Sequence, residues 1–179
     1  MHLSEKTLSS ELIFDGKIMK VTRDTVELEN GENAFREVVH HSGGVCVVPL
    51  CDNGDVLLVK QFRYPFSDVL LEVPAGKREA GEDPLECGIR ELKEEVGATA
   101  EKIIPLGRLY PTVAYDTEVI YMYLATGLSF SEQKLDEDEF LDVVRMPLSE
   151  AVEMVMQDKI PDSKTQLALI KASHTLDRL

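Results

Sequence analysis

Cysteine is scarce in this chain of 179 residues: Cys46, Cys51 and Cys87 form an odd set with no CxxC pair. That pattern argues against a disulfide framework and against a zinc site. Cys46 sits in an apolar run and Cys87 in a helical stretch, so all three read as packing residues of a reducing compartment. Long apolar runs are also missing, and none approaches the roughly 20 residues a helix needs to cross a bilayer. The first residues, Met1-His2-Leu3-Ser4-Glu5-Lys6, lack the apolar stretch of a secretion signal. A cytoplasmic location with no membrane partner is therefore expected. Basic residues are outnumbered: 19 Lys and Arg face 33 Asp and Glu, for a formal net charge of -14. Such a surface does not suit nucleic acid, which demands clusters of Lys and Arg. No internal repeat and no low-complexity segment is present.

What remains is apolar material, 44% of the residues, enough for one domain with a real core and a small appendage. Leu8 to His41 reads as short strands around Phe14-Asp15-Gly16-Lys17 and Glu29-Asn30-Gly31-Glu32, both with Asx-Gly turn chemistry. Neither face of Phe35 to His40 is cleanly apolar, so these strands need another surface to pack on. Val45 to Leu50 and Val56 to Phe62 are apolar runs around Cys51-Asp52-Asn53-Gly54-Asp55, a hairpin signal. Val69 to Val73, Ile103 to Tyr110, Glu118 to Ala125 and Val143 to Met146 read as further strands. Between them lies a clear helix, with Asp83 as its cap, Pro84 in its first turn and Gly97 at its left-handed end. Leu85, Ile89, Leu92 and Val96 make its apolar stripe. Ser149 to Gln157 and Ser163 to Leu176 close the chain as helices. This order predicts an α/β (α+β) fold, an α/β/α sandwich on a mixed sheet, with a small N-terminal antiparallel β-sheet. The expected division is 1–41 for the β segment and 42–179 for the larger domain.

One stretch of that helix is a poor choice for stability. In Arg90-Glu91-Leu92-Lys93-Glu94-Glu95, Glu91 and Glu95 lie one turn apart on the same side, with Glu94 beside them. Like charges at that spacing cost about 0.2–0.5 kcal/mol. Glu94 and Glu95 also stand in the last turn, where the helix dipole disfavours anions by about 0.3–1 kcal/mol. A divalent cation reverses the account, because carboxylates at i and i+4 can converge on one hard ion and Mg²⁺ prefers oxygen ligands.

The flanking residues complete a pattern. Gly76, Glu82, Arg90-Glu91-Leu92, Glu94-Glu95 and Gly97 match the Nudix box, Gly-x5-Glu-x7-Arg-Glu-U-x-Glu-Glu-x-Gly-U, where U is a bulky aliphatic residue. The one departure is Ala98 at the final U. Arg36-Glu37-Val38-Val39, Gln61-Phe62-Arg63-Tyr64, Leu71 to Gly76 and Asp136 to Phe140 resemble the ADP-ribose pyrophosphatase branch of the Nudix hydrolases. The resemblance implies Mg²⁺, with Mn²⁺ as a substitute, and a homodimer that exchanges its N-terminal sheets. It implies that Glu91 and Glu95 are the main metal ligands, with Glu94 in support and the carbonyl of Ala75 as a further ligand. Glu82 would hold the loop or bind metal through water, and Arg90 would orient the glutamates. Gly76 and Gly97 would serve backbone geometry. Glu137 and Glu139 are the candidates for the base, and the sequence does not choose between them. Arg36, Arg63, Glu72 and Glu118 match substrate-side positions. Phe14 and Tyr64 are of a type to stack on a base, but core packing is the expected role of both.

The resemblance thus implies hydrolysis of ADP-ribose to AMP and ribose 5-phosphate. Where the branch usually carries Ser-Pro-Gly after the box, this chain has Val113-Ala114 in place of Pro-Gly. Another nucleoside diphosphate sugar such as GDP-mannose, or a dinucleotide, is the competing substrate. A Nudix module that binds ADP-ribose without cleaving it is the competitor from another class. Such modules typically lose box glutamates, and this chain keeps them.

Overall fold

The computed structural model describes residues 2–135 and 139–178. The chain forms two compact units, Met1–Gly43 with Tyr110–Val119, and Gly44–Leu109 with Ile120–Leu179.

The first unit holds β1 (Lys6–Asp15), β2 (Met19–Glu27) and β3 (Asn33–His41) as an antiparallel sheet in that order. The second Asx-Gly turn closes through the Gly31 N–H, which donates to the Leu28 carbonyl at 2.9 Å. Gly31 has φ +83°, a conformation that suits glycine. Residues 110–119 join this unit through β3: the Val39 N–H donates to the Tyr115 carbonyl at 2.7 Å, and the Thr117 N–H to the Val39 carbonyl at 2.9 Å. Val26 is the unit's one buried apolar side chain among the described residues. Leu12, Ile13, Phe14, Ile18 and Phe35 are all more than half exposed. The mixed, two-sided strand pattern thus gives a sheet without a core of its own.

The second unit holds β4 (Gly44–Pro49), β5 (Asp55–Arg63), β6 (Asp68–Glu72), β7 (Ala75–Lys77), α1 (Pro84–Val96), β8 (Ala98–Leu109), β9 (Ile120–Phe130), β10 (Leu141–Pro147), α2 (Leu148–Met156) and α3 (Ser163–Leu176). One sheet runs β7-β4-β9-β8, with β4 and β9 parallel and the other pairs antiparallel. The other runs β10-β5-β6. Every residue of β4 is buried, as a strand covered on both faces requires. Its side chains alternate: Cys46 and Val48 pack with Ala151, Val155, Ala168 and Leu169 of α2 and α3. Val47 packs the other way, with Leu92 and Val96 of α1 and Leu57 and Val59 of β5. Helices therefore cover both faces of a mixed sheet, as the order of elements predicts.

The hairpin expectation needs correcting. The turn forms, with the Cys51 N–H donating to the Asp55 carbonyl at 2.8 Å. Beyond it only Leu50 and Val56 pair, and β4 and β5 enter different sheets. Both strands are apolar on both faces, so each is buried as the centre of its own sheet, β4 between β7 and β9, β5 between β10 and β6.

Candidate active site

The central helix is built by local chemistry. Asp83 Oδ1 accepts from the Leu85 N–H at 2.8 Å and Pro84 occupies the first turn. Gly97 ends the helix at φ +63° and its N–H donates to the Lys93 carbonyl at 3.0 Å. The buried face is not the expected stripe. Leu92 and Val96 are buried, but Leu85 and Ile89 are 39% and 40% exposed. Gly88, Glu91 and Glu95 take their place. Gly88 shows why: a Cβ there would stand 3.2 Å from Val45 Cγ2 and 3.4 Å from Val47 Cγ2. The helix docks on β4 through this glycine, and that rotation carries two carboxylates inward.

The box residues gather round Arg90. Its guanidinium donates to Glu82 Oε1 at 3.0 Å, Glu91 Oε1 at 2.7 Å and Glu94 Oε2 at 2.9 Å. Glu95 Oε2 accepts the Ala75 N–H at 2.9 Å. Gly76 lies against Glu91 so closely that a Cβ would overlap the carboxylate. Glu91 and Glu95 are 6% and 2% exposed. Burial pushes Glu91 up to about 7, with the charges of Glu94 and Glu139 adding to it and Arg90 opposing. Burial pushes Glu95 up to about 8, against the Ala75 N–H, and the charges of Glu91 and Glu139 add to it. Glu82 goes the other way, down to about 2, because Arg90 hydrogen-bonds its charged form. Arg90 is itself raised above its ordinary value, first by its bond to Glu82.

One guanidinium thus serves several carboxylates, and the two most buried remain short of positive charge. Among the described residues no three acidic, His or Cys side chains converge closely enough to hold an ion by themselves. Arg90 draws Glu82, Glu91 and Glu94 to itself instead. The donor set nevertheless fits a hard divalent cation: it is all oxygen, it is under-compensated, and a glycine keeps space open beside Glu91.

Arg63 and Glu72 join the same unit's site. Arg63 Nε and Nη2 each donate to a Glu72 oxygen at 2.6 Å. Glu72, 1% exposed, also accepts from Lys164 Nζ. The Glu95 charge adds to the stabilisation of the Arg63 cation. Glu139 is brought near the box, since its charge acts on both Glu91 and Glu95. Glu137 lies outside the described residues. Arg36 and Glu118 belong to the N-terminal unit, where Arg36 pairs with Glu5 and Glu118 Oε1 lies 3.2 Å from His41 Nδ1. Phe14 and Tyr64, expected in the core, are 52% and 84% exposed. Phe14 stands on an outward strand, and Tyr64 in the short 3₁₀ turn after β5. The three cysteines are free and buried, as packing residues should be. Burial pushes the Cys46 and Cys87 thiols up to about 12.

Sequence reasoning missed Lys164, Asp162 and Gly88. Asp162-Ser163 carries a helix-cap signal, and Asp162 does cap α3, accepting the Thr165 N–H at 2.9 Å. Nothing in that signal points to Glu72, 92 residues away.

Comparison with known proteins shows the family to which the chain belongs. A family model described as NUDIX domain matches residues 40–168, and one described as nucleoside diphosphate sugar hydrolase N-terminal domain matches 5–39. The chain is 41% identical over 169 residues to the ADP-ribose pyrophosphatase of Bacillus subtilis (strain 168), covering 93% of this chain and 91% of that one. It is 40% identical over 167 residues to the methanol dehydrogenase activator of Bacillus methanolicus, covering 92% and 90%. The crystal structure of an ADP compounds hydrolase shares the fold, with a TM-score of 0.86 over 98% of this chain and 95% of that one at 23% identity. With a family model spanning most of its length, and the matching glutamates gathered round Arg90 and Gly76, the chain belongs to the Nudix family of hydrolases.

Proposed function

We propose that the chain hydrolyses the diphosphate bond of ADP-ribose to AMP and ribose 5-phosphate, with Mg²⁺ or Mn²⁺. The observation that carries this reading is the buried pair Glu91 and Glu95 beside Gly76, short of positive charge and next to the Arg63 cation. Glu91 and Glu95 would hold the cation, with Glu94, Glu82 and the Ala75 carbonyl in support. When bound, it would supply charge neutralisation for the diphosphate and a more acidic water. Arg90 orients Glu91 and Glu94 through charge-assisted hydrogen bonds. Arg63 offers its charge to the phosphate oxygens. Glu137 or Glu139 takes the proton of the attacking water as the water oxygen bonds to phosphorus and the bridging P–O bond breaks. The Glu139 charge acts on Glu91 and Glu95, and Glu137 lies outside the described residues. For Arg36 and Glu118 the proposal rests on their match to the family's substrate-side arginine and glutamate. The name of the B. subtilis relative supports the substrate.

Residues 1–41 are proposed as a dimerisation and substrate segment, and 42–179 as the catalytic domain. The exposed apolar side chains of β1 to β3 support a second copy of the chain as what covers them. Light scattering is then expected to give twice the 20.0 kDa chain mass, and a monomer at assay concentration would refute it. The cytoplasm is the proposed compartment, in keeping with three unpaired thiols. No helix among the described residues is long and apolar enough to cross a membrane.

A second reading keeps the chemistry and changes the substrate to another nucleoside diphosphate sugar, such as GDP-mannose, or a dinucleotide. Val113-Ala114 favours it, because this pair replaces the Pro-Gly of the ADP-ribose enzymes. Ala114 lines a cleft of about 570 Å³ in the N-terminal unit with Phe35, Arg36 and Tyr115. Initial rates on a panel of ADP-ribose, GDP-mannose and dinucleotides with Mg²⁺ decide between them. The first reading expects the highest kcat/KM on ADP-ribose, and an equal or higher value on another compound sinks it.

A further inference from the structure

The first turn of α3 carries a cation where a helix least wants one. Lys164 is the second residue of α3, at the positive end of the helix dipole, and its side chain is only 12% exposed. Burial works against its charge more than any other single influence, and the charges of Asp162 and Glu72 overcome it. Helix stability and solvation both argue against a lysine here, so its contacts must explain it.

Those contacts lead to the active site. Lys164 Nζ donates to Glu72 Oε2 and, at 2.9 Å, to Asp162 Oδ2. Glu72 Oε2 is the same oxygen that receives Arg63 Nη2 at 2.6 Å, while Oε1 receives Arg63 Nε. One buried carboxylate is thus held between two cations from different elements. The next residue is gripped from the same turn: Thr165 Oγ1 accepts the Val73 N–H at 2.9 Å and donates to Asp162 Oδ2 at 2.6 Å. Two residues further on, Ala75 presents its N–H to Glu95.

The charges make the arrangement specific. Arg63 and Lys164 balance Glu72 and Asp162, so the group is neutral as a whole. Without the lysine, Glu72 and Asp162 face Arg63 alone. The guanidinium is then drawn toward two carboxylates and is less free to meet an anionic substrate. With the lysine in place, Glu72 shares its charge between two cations and holds the Arg63 guanidinium through Nε and Nη2.

We propose that Lys164 is a positioning residue for substrate binding, which holds Glu72 and through it sets the Arg63 guanidinium for the substrate's diphosphate. This rests on the reading of Arg63 as a diphosphate contact. The test is steady-state kinetics on ADP-ribose with saturating Mg²⁺ for Arg63→Ala, Lys164→Met, Lys164→Arg and the double variant Arg63→Ala/Lys164→Met, with melting curves for each. Lys164→Met is expected to raise KM at least about tenfold while kcat stays within about threefold, the mark of lost uniform binding. Lys164→Arg, which keeps the charge, is expected to recover most of that loss. Adding Lys164→Met to Arg63→Ala is expected to raise KM no further.

A Lys164→Met protein with unchanged KM, losing only thermal stability or kcat, overturns the proposal and makes the lysine structural. Additive KM effects in the double variant overturn it as well, because Lys164 would then act independently of Arg63. If Arg63→Ala itself leaves KM unchanged, the reading of Arg63 has failed, and the proposal with it. Should Lys164→Met not accumulate as folded protein, Lys164→Gln replaces it under the same outcomes, since it removes the charge while keeping a polar side chain.

Discussion

Replacing Glu95 by Gln is expected to stabilise the metal-free protein while removing its activity. Glu95 is 2% exposed, and its carboxyl is pushed from 4.5 up to about 8 by burial, with only the Ala75 N–H opposing strongly. The folded state therefore holds this proton more tightly than the unfolded chain does. The penalty is absent below pH 4.5, grows as pH rises from 4.5 to about 8, and is complete above that. Each pH unit in that window costs about 1.4 kcal/mol, so about 3 kcal/mol is lost by pH 7. The Gln oxygen keeps the Ala75 N–H, but its buried NH₂ without a partner costs about 1–3 kcal/mol. A net gain of about 1 kcal/mol raises the Tm of a domain of this size by about 2–4 °C.

The assay is thermal melting in EDTA at pH 5, 7 and 8.5, repeated in excess Mg²⁺. In EDTA the variant is no more stable than wild type at pH 5, where Glu95 carries little penalty, and overtakes it as pH rises through 7 to 8.5. In Mg²⁺ wild type gains about 2.7 kcal/mol at a hundredfold excess over Kd, the variant gains little, and the order reverses. The kcat of the variant falls at least about 100-fold, equivalent to about 2.7 kcal/mol of barrier. A variant less stable than wild type in EDTA at pH 8.5, or equal stabilisation of both by Mg²⁺, would refute the reasoning.

Gly76→Ala places a Cβ on the Glu91 carboxylate. It is expected to cost about 1–3 kcal/mol of stability and most of the activity, and undiminished turnover would show that Glu91 needs no such cradle. Glu72 supplies the opposite pH dependence to Glu95. Burial favours its neutral form, but Arg63 and Lys164 outweigh burial and hold it below 4.5. That stability is present above pH 4.5 and lost as pH falls through the lowered value. Glu72→Gln should therefore be less stable by about 3–5 kcal/mol at pH 7, with the gap narrowing in acid. A gap that stays constant down to pH 3 in urea titrations contradicts the assignment.

Much of the site was legible because its signals are local. Asp83, Pro84 and Gly97 bound the helix by interactions within four residues, and the residues from Gly76 to Gly97 carry the resemblance to the Nudix box without reference to any distant residue. Glu139 was readable only as one of two acidic residues on a loop. Its influence on Glu91 and Glu95 needs the fold. The failures are equally specific. Leu85 and Ile89 have the right period for a buried stripe, yet Gly88 brings another face of the helix against β4. The apolar runs either side of Cys51 to Asp55 make the expected turn but not the expected hairpin.

From its sequence alone, then, this chain determines where its helices begin and end, that its strands form a mixed α/β arrangement, and that Glu91 and Glu95 share one helical side. Those properties depend on neighbours a few residues apart. Only the tertiary structure decides that this side is turned inward, that Arg90 gathers Glu82, Glu91 and Glu94, and that Lys164 backs Glu72 behind Arg63. Burial and charge compensation of that kind arise between residues far apart in the chain, and no local period encodes them.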